Sequence, residues 1–554
     1  MKRLKSYIIM GVAAVLATSC SDFLNTAPYD ALSPGTTWKT EEDAQKFVVG
    51  CYGGDNDQVP GWEDGSTLLY LDCASDFSYN NFPWEGYTPL GNGTLTASNY
   101  GTSFYDFSVI RRCNTFMDNI EAIPFNDPAV KKDLIAQVRV IRAYRYFIMN
   151  WYYGGVPIIS NYSTADEAKV PRNTEAEVRA FVEKELDEST PDLNKAPSAR
   201  GRIAQGTALA IRMREALYYG DWATAKDRAQ KIINLGQYDL EPNYTNLFNV
   251  NGQDSKEVIA AVQYIPNVKP LGTIGQLYNN GDGGWSSIVP TQKLIDTYEM
   301  KNGLTKEEAG SGYDATHPYA NRDPRLAFSV LYPGCNYTKD DGSIAIFNTL
   351  DKTINGSTNP NYMTAADNSS KTGLTWAKYL EPMNQYTDIW ASNACPIMFR
   401  YAEVLLTYAE AENELTGPSA AVYQKINLVR NRVNMPNVDQ TKYGTKETLR
   451  ELIRRERGVE FAGEGLRRAD LVRWKTTDGK LLAEKVMTGT LERVMGTVNM
   501  DKNVDPTLRA TINVNASAED KKVEDRVFKP HFRYLPIPQS DRDKNPKLEQ
   551  NTGY

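Results

Sequence analysis

The sequence predicts a mainly α-helical chain: an α/α superhelix of about four tetratricopeptide-like hairpins, carrying a loop-rich, irregular face with few short strands. Three observations lead there. Paired amphipathic stretches recur, the clearest two being 33 residues each, Ala204–Gly236 and Arg400–Arg432. Long runs rich in Gly, Asn, Asp, Ser, Thr and Pro separate them without a sustained period. The whole chain of 554 residues is 41% hydrophobic and 24% charged, which is enough apolar material for a core and excludes wholesale disorder.

In chain order, residues 1–19 predict an export leader, with Lys2, Arg3 and Lys5 ahead of an apolar stretch from Tyr7 to Ala17. That stretch is well short of the ~20 residues a spanning helix needs. It ends in Ala17-Thr18-Ser19-Cys20, small residues before a cysteine, which has the form of a lipobox although Leu16 sits one place further out than usual. Cys20 is the expected lipidation site, residues 20–35 a lipid anchor and linker, and 36–554 a single composite domain. Several acyl chains on Cys20 would give stable membrane attachment where one would not.

Four helical units follow. Glu41–Tyr52 pairs with a helix near Phe104–Ile120, and Lys131–Tyr153 pairs with Glu175–Ser189. In Ala204–Gly236, Leu209, Met213, Ala216 and Leu217 share a face; Gly220-Asp221 then breaks the helix, supplying a left-handed cap and an N-cap. In Arg400–Arg432, Tyr401, Val404, Leu405, Tyr408, Ala411, Glu412 and Leu415 form one stripe, ended by Gly417-Pro418. Residues 53–103, 237–395 and 476–530 read as irregular, with one strand expected within 256–265. Arg454–Arg457 with Glu451, Glu456 and Glu460 reads as a helix laced by i,i+4 pairs and by charges from neighbouring helices.

The formal net charge of −7 becomes −10 once the three leader cations are removed, which disfavours a phosphate backbone and so nucleic acid as a partner. Only His317 and His531 are present, each beside a proline, so His-rich metal centres are absent and no cofactor is expected. Beyond Cys20, Cys51, Cys73, Cys113, Cys335 and Cys395 are an odd, irregularly spaced set; they read as buried apolar residues with at most one bridge.

Several motifs in order resemble the SusD/RagB family of outer-membrane nutrient-binding lipoproteins. After Cys20 come Ser21-Asp22-Phe23-Leu24 and later Ser75-Asp76. Ala143-Tyr144-Arg145-Tyr146-Phe147 leads to Tyr153-Gly154-Gly155-Val156-Pro157. Arg400-Tyr401-Ala402-Glu403-Val404-Leu405-Leu406 precedes Ile426-Asn427-Leu428-Val429-Arg430-Asn431-Arg432. Arg454 to Phe461 precedes Gly465-Leu466-Arg467 and Asp470-Leu471-Val472-Arg473-Trp474. The chain closes with Tyr534-Leu535-Pro536-Ile537-Pro538 and Asn545-Pro546-Lys547-Leu548. Gly463 and Arg468-Ala469 depart from the family pattern within the scaffold signature. The resemblance implies a non-enzymatic, cell-surface protein that binds a glycan or oligosaccharide and passes it, as a hinged lid, to a SusC-like TonB-dependent transporter. Some members bind peptides, so an oligopeptide-binding lid is one alternative and a repeat scaffold that binds only proteins is another.

A flat ring suits the apolar face of a sugar, whose hydroxyls then need Asn, Asp, Gln or Arg beside it. Trp38, Trp151, Trp222 and Trp474 fall in or beside helical motifs and read as packing. Trp62, Trp84, Trp285, Trp376 and Trp390 lie in irregular polar stretches. Trp84, in Tyr79-Asn80-Asn81-Phe82-Pro83-Trp84-Glu85-Gly86-Tyr87, and Trp285, after Tyr278-Asn279-Asn280-Gly281-Asp282-Gly283-Gly284, are the leading candidates. The expected ligand-binding set is Trp84, Trp285, Tyr87, Tyr278, Asn81 and Asp282, with Trp376 and Trp390 behind. The glycine loop lacks phosphate-binding GxGxxG spacing and the EF-hand pattern. No nucleophile–base motif marks a catalytic centre.

Overall fold

The computed structural model describes residues 38–53, 60–160, 162, 164–266, 268–385 and 387–554. The expected leader, the Cys20 lipidation site and the linker to residue 35 lie outside the described residues. No helix among the described residues is long and apolar enough to cross a membrane.

Nine helices of twelve residues or more build the scaffold among the described residues: α1 Glu41–Tyr52, α2 Ser108–Asn119, α3 Pro128–Tyr153, α4 Glu175–Ser189, α5 Gln205–Tyr218, α6 Trp222–Asn234, α7 Tyr401–Thr416, α8 Ala420–Arg432 and α9 Lys446–Glu460. Eight of them pack as four hairpins, α1 on α2, α3 on α4, α5 on α6 and α7 on α8, with α2 against α3 and α6 against α7, and α9 packs on α7. The four units expected from the sequence are therefore the four observed.

Local chemistry sets their ends. Thr40 and Asp43 form a capping box on α1, and Thr174 and Glu177 do the same on α4. Asp127 caps α3, with Pro128 at its first position, and Gly154 in the left-handed region ends it. Gly220 is also left-handed, and the Asp221 side chain accepts from the Thr224 amide to open α6. Where α5, α6 and α7 cross, Ala216, Ala225 and Ala411 are fully buried; small side chains let the helices approach closely.

The loop-rich half is more ordered than its composition suggests. It has its own apolar core, including Phe77, Tyr244, Ile274, Tyr298, Phe347 and Trp376. Short antiparallel pairs stitch it together. Two matter for the site: β1 (Ser78–Asn80) pairs with β3 (Ile288–Pro290), and β2 (Val258–Ala261) pairs with β4 (Ile397–Arg400). The expected strand within 256–265 is β2. Its partner takes Arg400 away from the helical hairpin, so α7 begins one residue later, at Tyr401.

A buried ion network joins the two halves. Arg400 reaches Glu257 and Glu460, each at 2.7 Å, and Glu464 at 2.6 Å. Arg325 reaches Asp323 at 2.7 Å, Glu456 at 2.6 Å and Glu460 at 2.9 Å. Burial pushes the Glu460 carboxyl up, but the Arg432, Arg400 and Arg325 charges outweigh it and hold the group well below the carboxylate range. On α9 the expected charges from neighbouring elements are present, Glu456 and Glu460 facing inward to arginines of other elements, while the i,i+4 expectation is corrected: the intrahelical pair in this stretch is Glu451–Arg454 at i,i+3. Cys51, Cys73, Cys113, Cys335 and Cys395 are all free and buried, so the single bridge allowed by the sequence is not formed.

Candidate functional site

The β1–β3 pairing decides where the candidate loops go. The ladder extends through the Asn81 amide to the Ser287 carbonyl at 2.8 Å, so the loop after β1 and the loop before β3 lie side by side. That places Phe82 and Trp84 next to Trp285. Trp84 stacks on Phe82 at 4.7 Å, Phe82 meets Trp285 edge-on at 6.5 Å, and Trp285 leans on Trp390 at 4.8 Å and 60°. Trp390 is brought in by a bridge between Leu271 and Ser392 and is seated over Gly275, where a Cβ would come within 2.4 Å of the indole.

Trp285 and Trp390 line a cleft of about 860 Å³. One wall is a short helix, Gly65–Tyr70, and the facing wall is another, Thr273–Leu277. Hydrogen bonds tie the walls together: Thr273 Oγ1 to Ser66 Oγ at 2.6 Å and Tyr70 Oη to Gln276 Oε1 at 2.9 Å. Asp64 caps the first helix through the Ser66 and Thr67 amides and accepts from Tyr264, whose hydroxyl accepts from the Gly65 amide. The floor comes from α3 and the residues before Gly65. Tyr144 donates to Glu63, and Arg145 lies beside it, only 8% exposed. Burial raises the Glu63 carboxyl, and the Arg145 charge opposes that rise.

The expected ligand-binding residues separate into two groups. Trp84 is 76% exposed and Trp285 43% exposed, so both present ring surface to solvent. Trp285 lines the cleft, whereas Trp84 stands outside its lining, joined to it through Phe82. Tyr87, Tyr278, Asn81 and Asp282 face inward and do not line the cleft. Tyr87, 5% exposed, backs the cleft-lining Tyr70 ring at 4.9 Å. Tyr278, 3% exposed, donates to the Glu381 carbonyl. Asn81 donates to the Asp367 and Ser369 carbonyls at 2.9 and 3.2 Å. The Asp282 carboxylate is met by Tyr337 at 3.3 Å and Lys339 at 3.2 Å. The geometry corrects the expected placement of these four, which are inward-facing loop supports: Tyr278 and Asn81 through backbone carbonyls, Asp282 through Tyr337 and Lys339, and Tyr87 through the Tyr70 ring.

Among the remaining rings, Trp62 is buried against Tyr52 and Tyr144, and Trp376 is buried in a strand pair with Val330. Trp390, ranked low from sequence, belongs with Trp285. Arg145, Glu63, Tyr70 and Gln276 line the cleft with no local motif that marks them as a site. Arg145 carried one signal, a cation inside an otherwise buried aromatic run from Tyr144 to Phe147.

The SusD family profile matches residues 244–554, over half of the chain. The chain belongs to the SusD family. Over 478 residues it is 27% identical to the SusD-like protein P25 of Formosa agariphila, covering 82% of this chain and 87% of that protein. It is 23% identical to the starch-binding protein SusD of Bacteroides thetaiotaomicron, covering 100% and 99%. Among solved structures, a SusD-like carbohydrate binding protein from Bacteroides fragilis superposes with a TM-score of 0.78 at 27% identity, covering 92% of this chain and 99% of that one. This SusD-family chain thus shares both its helical scaffold and its loop-rich half with proteins of that description.

Proposed function

We propose that this SusD-family chain binds a glycan or oligosaccharide in the Trp285–Trp390 cleft at the cell surface. In this reading it is held to the outer membrane by a lipid on Cys20 and delivers its ligand, as a lid, to a SusC-like TonB-dependent transporter, without transforming it. The observation that carries the reading is the pair of indoles at 4.8 Å over a floor of hydroxyl, amide and charged groups. Ring faces cover the C–H face of a sugar while the polar floor meets its hydroxyls. The names of the Bacteroides relatives, a carbohydrate binding protein and a starch-binding protein, support the same class. An oligopeptide lid would favour backbone-directed polar groups with few exposed rings, which fits this cleft less well.

The test is affinity electrophoresis of the chain without its leader through gels containing single polysaccharides. Retardation by at least one polymer, lost in Trp285→Ala and Trp390→Ala, is expected. Binding of peptides alone would remove the glycan reading, and new reducing ends on a bound polymer would show that the chain is an enzyme. Labelling with radioactive palmitate, abolished by Cys20→Ala, tests the anchor. Co-purification with a TonB-dependent barrel tests the lid.

A further inference from the structure

The floor of the cleft constrains the charge of its ligand, given the glycan reading above. Among the described residues, three carboxylates line the cleft, Glu63, Asp64 and Asp106, against two cations, Arg145 and Lys269, an excess of one negative charge. Just behind the lining, Glu85 approaches Gln276 at 3.5 Å, Asp388 accepts from the Trp390 amide at 3.0 Å and Arg112 binds the Pro60 carbonyl, so this layer does not offset the negative charge. Asp64 is occupied as a helix cap, and Asp106 by the Ser108 amide at 2.9 Å and hydroxyl at 2.7 Å. Glu63 and Arg145 remain on the floor, near enough for the arginine charge to act on the carboxyl.

Arg145 is under-used by the protein. Its one hydrogen bond runs from Nη1 to the Trp62 carbonyl at a long 3.4 Å, and its Nε has no partner among the described residues. A guanidinium held nine-tenths buried with so few acceptors gains from an acceptor supplied at the cleft. Beside it, Glu63 accepts from Tyr144 and from the Asp64 amide at 2.9 Å and has lone pairs left over. A sugar hydroxyl both donates and accepts, so it matches an adjacent donor and acceptor. A carboxylate or sulfate only accepts; it would meet Arg145 but oppose Glu63, in a cleft already negative by one charge.

We infer that the cleft takes an uncharged, hydroxyl-rich stretch of glycan, read by Arg145 as donor and Glu63 as acceptor, and discriminates against sugars bearing carboxylate or sulfate at that position. Both residues touch ligand in this scheme and set its specificity, independently of the tryptophans that supply stacking.

The experiment uses the full chain after the leader and a panel of neutral polysaccharides: α- and β-glucans, mannans, xylans, galactans and fructans. Each is paired with its carboxymethylated, sulfated and hydroxyethylated derivatives, the last as a neutral control for bulk, and affinities are read by calorimetry. The expected result is that a neutral polymer binds, its hydroxyethyl derivative binds within a few-fold, and its charged derivatives bind at least about tenfold more weakly. Arg145→Lys, which keeps the charge but loses the fork, weakens neutral binding about tenfold. Glu63→Gln raises the ratio of charged to neutral affinity, because Arg145 is then uncompensated; circular dichroism confirms that both variants are folded. Equal or tighter binding of carboxylated or sulfated polymers by the wild type overturns the inference and leaves the glycan reading standing. An unchanged ratio in folded Glu63→Gln overturns the role of Glu63. Binding of no polysaccharide by folded protein overturns the inference and the glycan reading together.

Discussion

Replacing Trp285 by alanine separates a binding role from a packing role. A tryptophan presents up to about 250 Å² of surface, and 43% of this one is exposed, so a ligand can cover about 110 Å² of it. At about 25 cal/mol per Å² the ceiling is near 2.7 kcal/mol, and about half of that if only one sugar face contributes apolar contact. Affinity should therefore fall between about 10- and 100-fold. The fold loses the ring contacts with Trp390 and Phe82, about 0.5–1.5 kcal/mol each. Spread over roughly 500 residues with an unfolding entropy near 1 kcal/mol/K, that lowers Tm by only about 1–3 °C. The assay is calorimetric titration with the best polymer from the panel, together with a thermal melt. Trp376→Ala is the control: its ring is 3% exposed and abuts Gly463, so it should cost about 3–5 kcal/mol of stability without touching ligand. Unchanged affinity in Trp285→Ala, or a melt as damaged as that of Trp376→Ala, would show that the ring packs the fold and does not bind ligand.

Trp84→Ala should leave the melt unchanged and weaken binding only about threefold, since that ring stands outside the cleft lining; a larger loss would move the ligand's centre toward Trp84. Gly275→Ala should reproduce the binding defect of Trp390→Ala, because the new Cβ would sit 2.4 Å from the indole and displace it. Glu460→Gln should cost about 3 kcal/mol in urea unfolding, leaving Arg325, Arg400 and Arg432 each short of one acid; a cost below ~1 kcal/mol would make that carboxylate dispensable. Burial raises the Asp72 carboxyl to about 7, against amide bonds from Gly463 and Arg467 that lower it. The folded chain then holds a proton that the unfolded chain has released between about pH 4 and 7, so this contribution is present at low pH and lost as pH rises through 7. Asp72→Asn should gain on wild type by on the order of 3 kcal/mol between pH 4 and pH 8; a constant difference in urea melts would show that the carboxyl is ionised throughout.

Helical hairpins were legible because their signals are local. Thr40, Asp127, Thr174 and Asp221 each cap a helix through amides two or three residues away, and a stripe such as Val404, Leu405 and Tyr408 repeats within one turn. The loops were not legible in the same way. Nothing within 78–90 or 276–290 announces that β1 pairs with β3 across more than 200 residues, yet that pairing carries Phe82 to Trp285. The direction of polar loop side chains is likewise not fixed by local sequence. Asn81 and Asp282 have the composition of a sugar site, but backbone carbonyls and a neighbouring lysine claim them first.

Helix periodicity, capping and turn chemistry act over a few residues, so the scaffold, the family motifs and the two loops that carry Trp84 and Trp285 follow from local sequence alone. Long-range packing is what brings Trp390 to Trp285, turns Tyr87 and Tyr278 inward, and sets Glu63 and Arg145 on one floor. Those outcomes depend on strand register and on competition for buried hydrogen-bond partners, both of which are settled between residues far apart in the chain.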